Sequence, residues 1–275
     1  MDGSPLDHLS ATLRWMPDYL LDISDGIATV TLNRPSKKNA LTLPMVGELA
    51  DAVVALYARD DVNVLVLTGA GGDFCAGADL IANASALQGG EDSARTNMGI
   101  FHSLLLAVWN FPRPSIAAVA GDAVGFGMDL SLACDLRIGS DTARFSQGFS
   151  KIALVPDGGS SLSLARLVGL GKALELFYLS EKVEADEALR LGLLNRVIPS
   201  DSFADGWRGF ASKLAHGPQK ALRLGKENIR KGLGVTMEEA LANESRAQVQ
   251  CITGTDPMAG VMAWMNKDTP TFTER

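Results

Sequence analysis

The stretch PRPSIAAVAGDAVGFG, residues 112–127, combines the local signals of a strand, a turn and a helix. Its two prolines end a preceding helix, its apolar middle has the composition of a buried strand, and its glycines open a turn behind that strand. A short helix is predicted to begin near Gly127. The stretch therefore predicts a buried strand that is joined to a helix by a glycine-rich turn.

The same alternation of strands and helices extends to both sides of this stretch. It predicts elements over residues 19–33 (a hairpin around an Asp-Gly turn), 43–60 (helix), 62–69 (strand), 94–111 (helix) and 135–140 (strand). Beyond residue 160 the pattern is mostly helical, with apolar residues such as Met262 and Trp264 that a small core does not fully cover. The sequence thus predicts an α/β core with an appended helical layer that supports oligomerisation.

The composition narrows the classes of partner and compartment. With a net charge of -7 the chain is unsuited to nucleic acid or an anionic membrane, because both attract basic surfaces. No apolar run approaches the ~18 residues of a membrane span, and the first residues lack the basic segment of a signal peptide. Cys75, Cys134 and Cys251 are scattered and indicate reduced thiols. We therefore expect a cytoplasmic protein without nucleic-acid or membrane partners.

Two glycine-rich loops follow predicted strands, over residues 68–80 and 120–136. Such loops are either plain turns or places where backbone N–H groups face a ligand. Neither contains a dinucleotide-binding or P-loop motif, and the chain lacks the GxSxG motif of serine hydrolases. His8, His102 and His216 have no metal-ligand spacing, so no metal site is predicted. What remains is a site made of backbone donors and a carboxylate.

Four motifs, in order along the chain, resemble those of the crotonase superfamily of enoyl-CoA hydratases and isomerases. They are LNRPSKKNAL (32–41), FCAGADL (74–80), the stretch 112–127 quoted above and VPDGGSS (155–161). The resemblance implies a crotonase-like spiral of β-β-α repeats over residues 18–200, preceded by an N-terminal extension of residues 1–17 and followed by a helical trimerisation region of residues 201–275. It also implies a homotrimer or a dimer of trimers that binds an acyl-CoA thioester, with coenzyme A as part of the substrate and no separate cofactor.

The resemblance further implies the parts of the site. The backbone N–H groups of Ala78 and Phe126 would hold the thioester oxygen and stabilise the enolate that forms when C2 loses a proton. The helix that begins near Gly127 would add the positive end of its dipole. The substrate-binding positions that carry over are Lys38, Ala40, Leu41, Ala76, Asp79, Leu80 and Phe149.

The expected reaction depends on where this chain departs from the hydratases. Hydratases place two glutamates over C2 and C3, because one group activates water while another handles the C2 proton. Here the two positions hold Asp129 and Phe149, whereas Asp157 takes the place of the single acid of Δ3,Δ2-enoyl-CoA isomerases. Moving a double bond needs one base, and Phe149 would keep water from the intermediate. The resemblance therefore implies an isomerase with Asp157 as acid and base.

Other interpretations of these residues stay open. Asp157 also fits an N-cap before a helix, and Asp129 fits either a hydratase-type acid or a first-turn acid that favours the helix dipole. His102 with Asp157 resembles the pair in 4-halobenzoyl-CoA hydrolytic dehalogenases, although a lone helical histidine is more often a packed or surface residue. A non-catalytic acyl-CoA binder is the remaining class.

Overall fold

The computed structural model describes residues 17–84 and 89–275. The predicted N-terminal extension of residues 1–17 therefore lies, except for Pro17, outside the described residues. The strands are β1 (Tyr19–Ser24), β2 (Ile27–Leu32), β3 (Val64–Gly69), β4 (Ser115–Val119), β5 (Asp122–Val124), β6 (Leu136–Ser140), β7 (Arg144–Ser146), β8 (Val183–Glu184) and β9 (Arg196–Ile198). The helices are α1 (Leu43–Ala55), α2 (Gly90–Trp109), α3 (Phe126–Ala133), α4 (Ser160–Val168), α5 (Leu170–Leu179), α6 (Ala185–Arg190), α7 (Phe203–Ala215), α8 (Gln219–Gly232), α9 (Met237–Ile252) and α10 (Asp256–Asn266).

In the described part of the chain, the main sheet contains six strands in the order β1-β2-β3-β4-β6-β9. The β1–β2 pair is antiparallel, and every pair from β2 to β9 is parallel. A smaller sheet contains β5, β7 and β8. Parallel neighbours cannot be joined by a tight turn, so helical segments cross over between the central strands. This arrangement confirms the predicted α/β class.

The central strands are continuous apolar runs because helices cover both faces of the main sheet. Leu65 and Leu67 of β3 belong to the core that contains the buried sides of α1 and α2. Val64 and Val66 of the same strand face the opposite way and pack in a second cluster with Phe203 and Trp207 of α7. Strands that are buried on both faces lose the alternation of polar and apolar residues, as in other parallel sheets.

The predicted elements are confirmed with shifted boundaries. Strands β1 and β2 pair around Asp25 and Gly26, which both have the positive φ that a tight hairpin turn requires. The helix predicted over residues 94–111 runs from Gly90 to Trp109, and the helix predicted near Gly127 begins at Phe126.

The mostly helical region beyond residue 160 also contains β8 and β9, which the sequence analysis missed. Two or three residues are too few to show a periodic pattern, so only the sheet reveals these strands. Strand β9 pairs with β6 and becomes an edge of the main sheet.

Helices α7 to α10 form the helical C-terminal region that the sequence predicts. Helix α10 buries little of its surface against the described residues, since Asp256 and Ala263 are its only buried positions there. Its exposed apolar side chains are Met258, Val261, Met262, Trp264 and Met265. None of the helices in the described ranges has the length and hydropathy needed to cross a bilayer.

Candidate active site

A cavity of about 610 Å³, the large cavity, lies between the loop after β3, the start of α3 and the segment before α4. The residues on its wall that the sequence predicts for the site are Ala76, Ala78, Leu80, Phe126, Phe149 and Asp157. Helix α2 supplies a further wall through Ala94, Asn97, Met98 and Phe101. The large cavity therefore brings together motifs that lie far apart in the sequence.

Two backbone N–H groups on this wall are available to a ligand. The loop that holds Ala78 is fixed through its neighbours, because the Leu41 N–H donates to the Gly77 oxygen at 2.8 Å and the Asp79 N–H donates to the Leu41 oxygen at 2.8 Å. Phe126 is the first residue of α3, where helical N–H groups have no intrahelical acceptor. Within the described ranges, neither the Ala78 nor the Phe126 N–H donates to an acceptor of the protein.

Asp157 lies on the wall between the large cavity and a second cavity of about 330 Å³. Its Oδ1 atom is buried and has no hydrogen-bond partner within residues 17–84 and 89–275. Burial raises the pKa of this carboxyl group, and the nearby His102 opposes that rise. Helix α4 begins at Ser160 and has Gly159 at its N-cap position, and no side chain of the described ranges caps it. The capping interpretation of Asp157 is therefore wrong, and its carboxyl group is available for chemistry.

Asp129 lies behind the wall of the large cavity. It is 1% exposed, stands in the first turn of α3 and lines neither cavity. Its Oδ2 accepts a hydrogen bond from the Gly158 N–H at 3.0 Å, and its Oδ1 accepts one from Gln147 Nε2 at 3.3 Å. Burial raises the pKa of Asp129 to about 7. Asp129 is therefore not one of the residues that line the two cavities.

His102 is an exposed residue of α2 that lines the second cavity together with Asp157. Its Nε2 donates to the backbone carbonyl oxygen of Asp157 at 3.0 Å. A carbonyl oxygen only accepts, so the bonded ring nitrogen carries the hydrogen. The structure thus makes neighbours of two residues that lie 55 positions apart in the sequence.

Lys38 belongs to a cluster of cations around the buried Asp122. Lys38 Nζ lies 2.7 Å from Asp122 Oδ2 and 3.5 Å from Asp73 Oδ2, and the hydrogen bond to Asp122 raises the pKa of Lys38. Arg144 and Lys182 approach the other oxygen of Asp122 to 2.8 and 3.0 Å. Lys182 also lines the large cavity and was missed by the sequence analysis. No local pattern marks it, because it lies 60 residues from its partner Asp122.

Three other residues predicted to bind coenzyme A, Asp79, Ala40 and Leu41, are engaged in contacts within the chain or buried in it. Asp79 Oδ2 lies 3.0 Å from Arg34 Nη2, and its Oδ1 accepts from the Ala82 N–H, which holds the pKa of Asp79 below its usual value. Ala40 and Leu41 are buried and line neither cavity. Their predicted contact with coenzyme A stays a prediction.

The α2 wall of the large cavity was also missed, although the sequence carries a signal for it. Positions 94, 97, 98 and 101 follow the three- and four-residue spacing of one helix face.

Among the described residues, no group of three His, Cys, Asp or Glu side chains is placed to hold a metal ion.

Comparison with known proteins places the chain among acyl-CoA enzymes. Residues 22–275 match the sequence model of the enoyl-CoA hydratase/isomerase family. A probable enoyl-CoA hydratase of Rhodobacter capsulatus is 38% identical over 254 residues, which cover 92% of this chain and 97% of the relative. A 4-chlorobenzoyl coenzyme A dehalogenase-2 of Arthrobacter sp. is 34% identical over 225 residues, 80% of each chain. The crystal structure of an enoyl-CoA hydratase from Bacillus anthracis has a TM-score of 0.89 at 32% identity and covers 94% of this chain and 100% of its own.

Proposed function

The chain belongs to the enoyl-CoA hydratase/isomerase family, and on that premise we propose that it is an enoyl-CoA isomerase that moves a C3–C4 double bond to C2–C3. One observation carries the proposal. The buried Oδ1 of Asp157 has no hydrogen-bond partner in the described part of the chain, and Asp157 shares the wall of the large cavity with Ala78 and Phe126, whose N–H groups are available.

These groups supply what the isomerisation requires. The thioester oxygen of a 3-enoyl-CoA accepts hydrogen bonds from the Ala78 and Phe126 N–H groups, which lowers the energy of the dienolate that forms when C2 loses its proton. Asp157 takes that proton and returns it at C4, so the double bond shifts and the carboxylate is regenerated. The positive end of α3 adds to the stabilisation, because Phe126 is its first residue.

Hydration is the competing reaction, since the Rhodobacter relative and the Bacillus structure are both named as hydratases. Adding water to a 2-enoyl-CoA requires one group to activate the water and one to deliver the C2 proton. Phe149, which lines the large cavity, can do neither, and the carboxylate of Asp129 is turned toward the Gly158 N–H. A single acid on the cavity wall is sufficient for isomerisation, which is why we favour it.

The deciding experiment compares the purified protein with its Asp157→Asn variant on a 3-enoyl-CoA and a 2-enoyl-CoA, with the products identified by mass and NMR. We expect the wild type to convert the 3-enoyl-CoA without gaining the mass of water. The variant keeps the shape of the side chain but loses the proton shuttle, so the rate is expected to fall by ~10²-fold or more.

Two outcomes would contradict the isomerase proposal. Water addition to the 2-enoyl-CoA that survives Asp157→Asn and disappears in Asp129→Asn would assign a hydratase with Asp129 as its acid. Binding of acyl-CoA without turnover of either substrate would identify a non-catalytic acyl-CoA binder.

A second candidate is hydrolytic dehalogenation of a 4-halobenzoyl-CoA, favoured by the contact between His102 and Asp157 and by the dehalogenase relative. In that reaction an Asp157 carboxylate oxygen attacks the halogen-bearing ring carbon, and the halide leaves. The imidazole of His102 then takes a proton from the water that cleaves the resulting ester and frees the carboxylate. Halide release from 4-chlorobenzoyl-CoA that is lost in both His102→Gln and Asp157→Asn would establish this reaction. Isomerase activity that persists in His102→Gln would reject it.

A further inference from the structure

The peptide bond between Asp157 and Gly158 is held at both of its polar atoms. Its N–H donates to Asp129 Oδ2 at 3.0 Å, and its carbonyl oxygen accepts from His102 Nε2 at 3.0 Å. From this arrangement we propose that Asp129 is a positioning residue, which acts on the reaction by fixing the backbone that carries Asp157. The inference rests on the proposed role of Asp157 as acid and base.

The contact between Asp129 and Gly158 is direct and leaves no room for a side chain. A Cβ atom at position 158 would lie 2.5 Å from Asp129 Oδ2 and would overlap the Asp129 side chain. Glycine at this position therefore allows the backbone to reach the carboxylate. A larger residue would push the Asp157–Gly158 peptide away from Asp129.

Asp129 is itself rigidly oriented. Gln147 Nε2 donates to its Oδ1 at 3.3 Å, and Ser160 Oγ, at the start of α4, donates to Gln147 Oε1 at 3.2 Å. All three side chains are buried. The carboxylate that holds the Gly158 N–H therefore cannot swing away without breaking a second hydrogen bond in a dry environment.

Helix α3 thereby determines the placement of both parts of the site. Phe126, its first residue, presents the N–H proposed for the thioester oxygen, and Asp129 stands one turn later and holds the backbone next to Asp157. One rigid turn of helix sets the separation between the oxyanion donor and the base. Such placement matters because a displacement of about 1 Å in a catalytic group can cost roughly 10²-fold in rate.

The test separates hydrogen-bond acceptance by Asp129 from proton transfer. Asp129→Asn keeps an oxygen that accepts from the Gly158 N–H, whereas Asp129→Leu has the same branching at Cγ, a larger side chain and no acceptor. We expect Asp129→Leu to lower kcat by roughly 10- to 100-fold with KM little changed, and Asp129→Asn to stay within about threefold of the wild type. Ser131→Ala is the matched control, because it removes another buried polar group of α3 whose bond stays inside the helix.

A double variant shows whether Asp129 acts through Asp157. In the Asp157→Asn background, Asp129→Leu is expected to cause little further loss of kcat, because the carboxylate that it positions is already gone. Melting temperatures identify variants that fail to fold, and Asp129→Ala replaces Asp129→Leu if the larger apolar side chain prevents folding.

The possible failures are distinguishable. Loss of activity in Asp129→Asn equal to that in Asp129→Leu would overturn the inference and assign proton transfer to Asp129. Wild-type kcat in Asp129→Leu, with Asp157→Asn inactive, would reject the positioning role and leave the proposed function standing. Normal turnover by Asp157→Asn would reject the proposed function and the inference together.

Discussion

Gly127 lies so close to Cys75 that a Cβ atom at position 127 would overlap the Cys75 carbonyl oxygen and lie 2.8 Å from its carbonyl carbon. The same carbonyl oxygen accepts from the Val124 N–H at 2.9 Å, and the Cys75 N–H donates to the Asp122 oxygen at 3.0 Å. These contacts join the loop of Ala78 to the segment that leads into α3. Backbone packing therefore contributes to the positions of the two proposed oxyanion donors.

Replacing Ala78 with proline is expected to abolish most of the turnover. Proline removes one N–H, and the bonds that hold this loop use Gly77 and Asp79 instead of the Ala78 N–H. Loss of one oxyanion donor costs about 3 kcal/mol, or roughly 10²-fold or more in kcat. Ala78→Gly, which keeps the N–H, is the control and should retain most of the activity. Equal losses in the two folded variants would remove Ala78 from the oxyanion site.

Asp129 is expected to make stability depend on pH. Its pKa is about 7 in the folded protein and about 3.9 in an unfolded chain, so the fold prefers the protonated form. The stability that it contributes is fully present below about pH 4 and is lost as the pH rises through about 7. Asparagine cannot ionise, so Asp129→Asn should gain stability relative to the wild type as the pH rises from 4 to about 8, on the order of a few kcal/mol.

Urea denaturation at several pH values measures this effect. Asp51→Asn, a substitution at an exposed position of α1, controls for the loss of one negative charge. Parallel stability curves for the wild type and Asp129→Asn would show that burial does not perturb this carboxyl group.

Lys38 is expected to contribute to binding more than to stability. Its side chain is 52% exposed, and ion pairs of such residues contribute about 0–1 kcal/mol, so Lys38→Gln should leave the melting temperature nearly unchanged. If Lys38 meets a phosphate of coenzyme A, the variant should raise KM several-fold with kcat unchanged, and the difference should shrink at about 1 M salt. Lys37→Gln, at an adjacent exposed position, is the matched control. Identical KM values for the two variants would assign Lys38 to the Asp122 cluster alone.

The exposed apolar face of α10 predicts assembly through the C-terminal helices. Trp264 is 81% exposed and Met265 is 65% exposed. Contiguous exposed apolar side chains of this size usually mark a surface that contacts another protein. We expect a trimer or a dimer of trimers in sedimentation, and a shift toward the monomer when Trp264 and Met265 are both changed to lysine. Leu20→Lys on β1 adds charge outside these helices and should leave the mass unchanged. A wild-type monomer at micromolar concentration would contradict this prediction.

Local features of the sequence were sufficient to predict most of the fold. The structure confirms the predicted Asp25-Gly26 turn, the strands β3 and β4 and the glycine-rich turn before α3. Each of these features depends on the conformational preference of a few neighbouring residues. The α3 start at Phe126 and the exposed apolar residues of α10 are likewise visible in the sequence. Among the site residues, the motifs 74–80, 112–127 and 155–161 marked segments that the structure brings to the large cavity, whereas no residue of the motif 32–41 lines it.

The contacts and burial of the individual carboxylates follow from the packing of distant segments and not from local sequence. Asp157 resembles a helix cap in the sequence, but α4 begins at Ser160. The Asp157 side chain lines two cavities, and its Oδ1 has no hydrogen-bond partner among the residues that the structure describes. Asp129 is joined to Gly158 across 29 residues, and His102 to Asp157 across 55. Such partners depend on how distant segments pack, and burial then sets the pKa of each carboxyl group. Hydrogen bonding and desolvation are properties of the folded surroundings, which a local pattern does not contain.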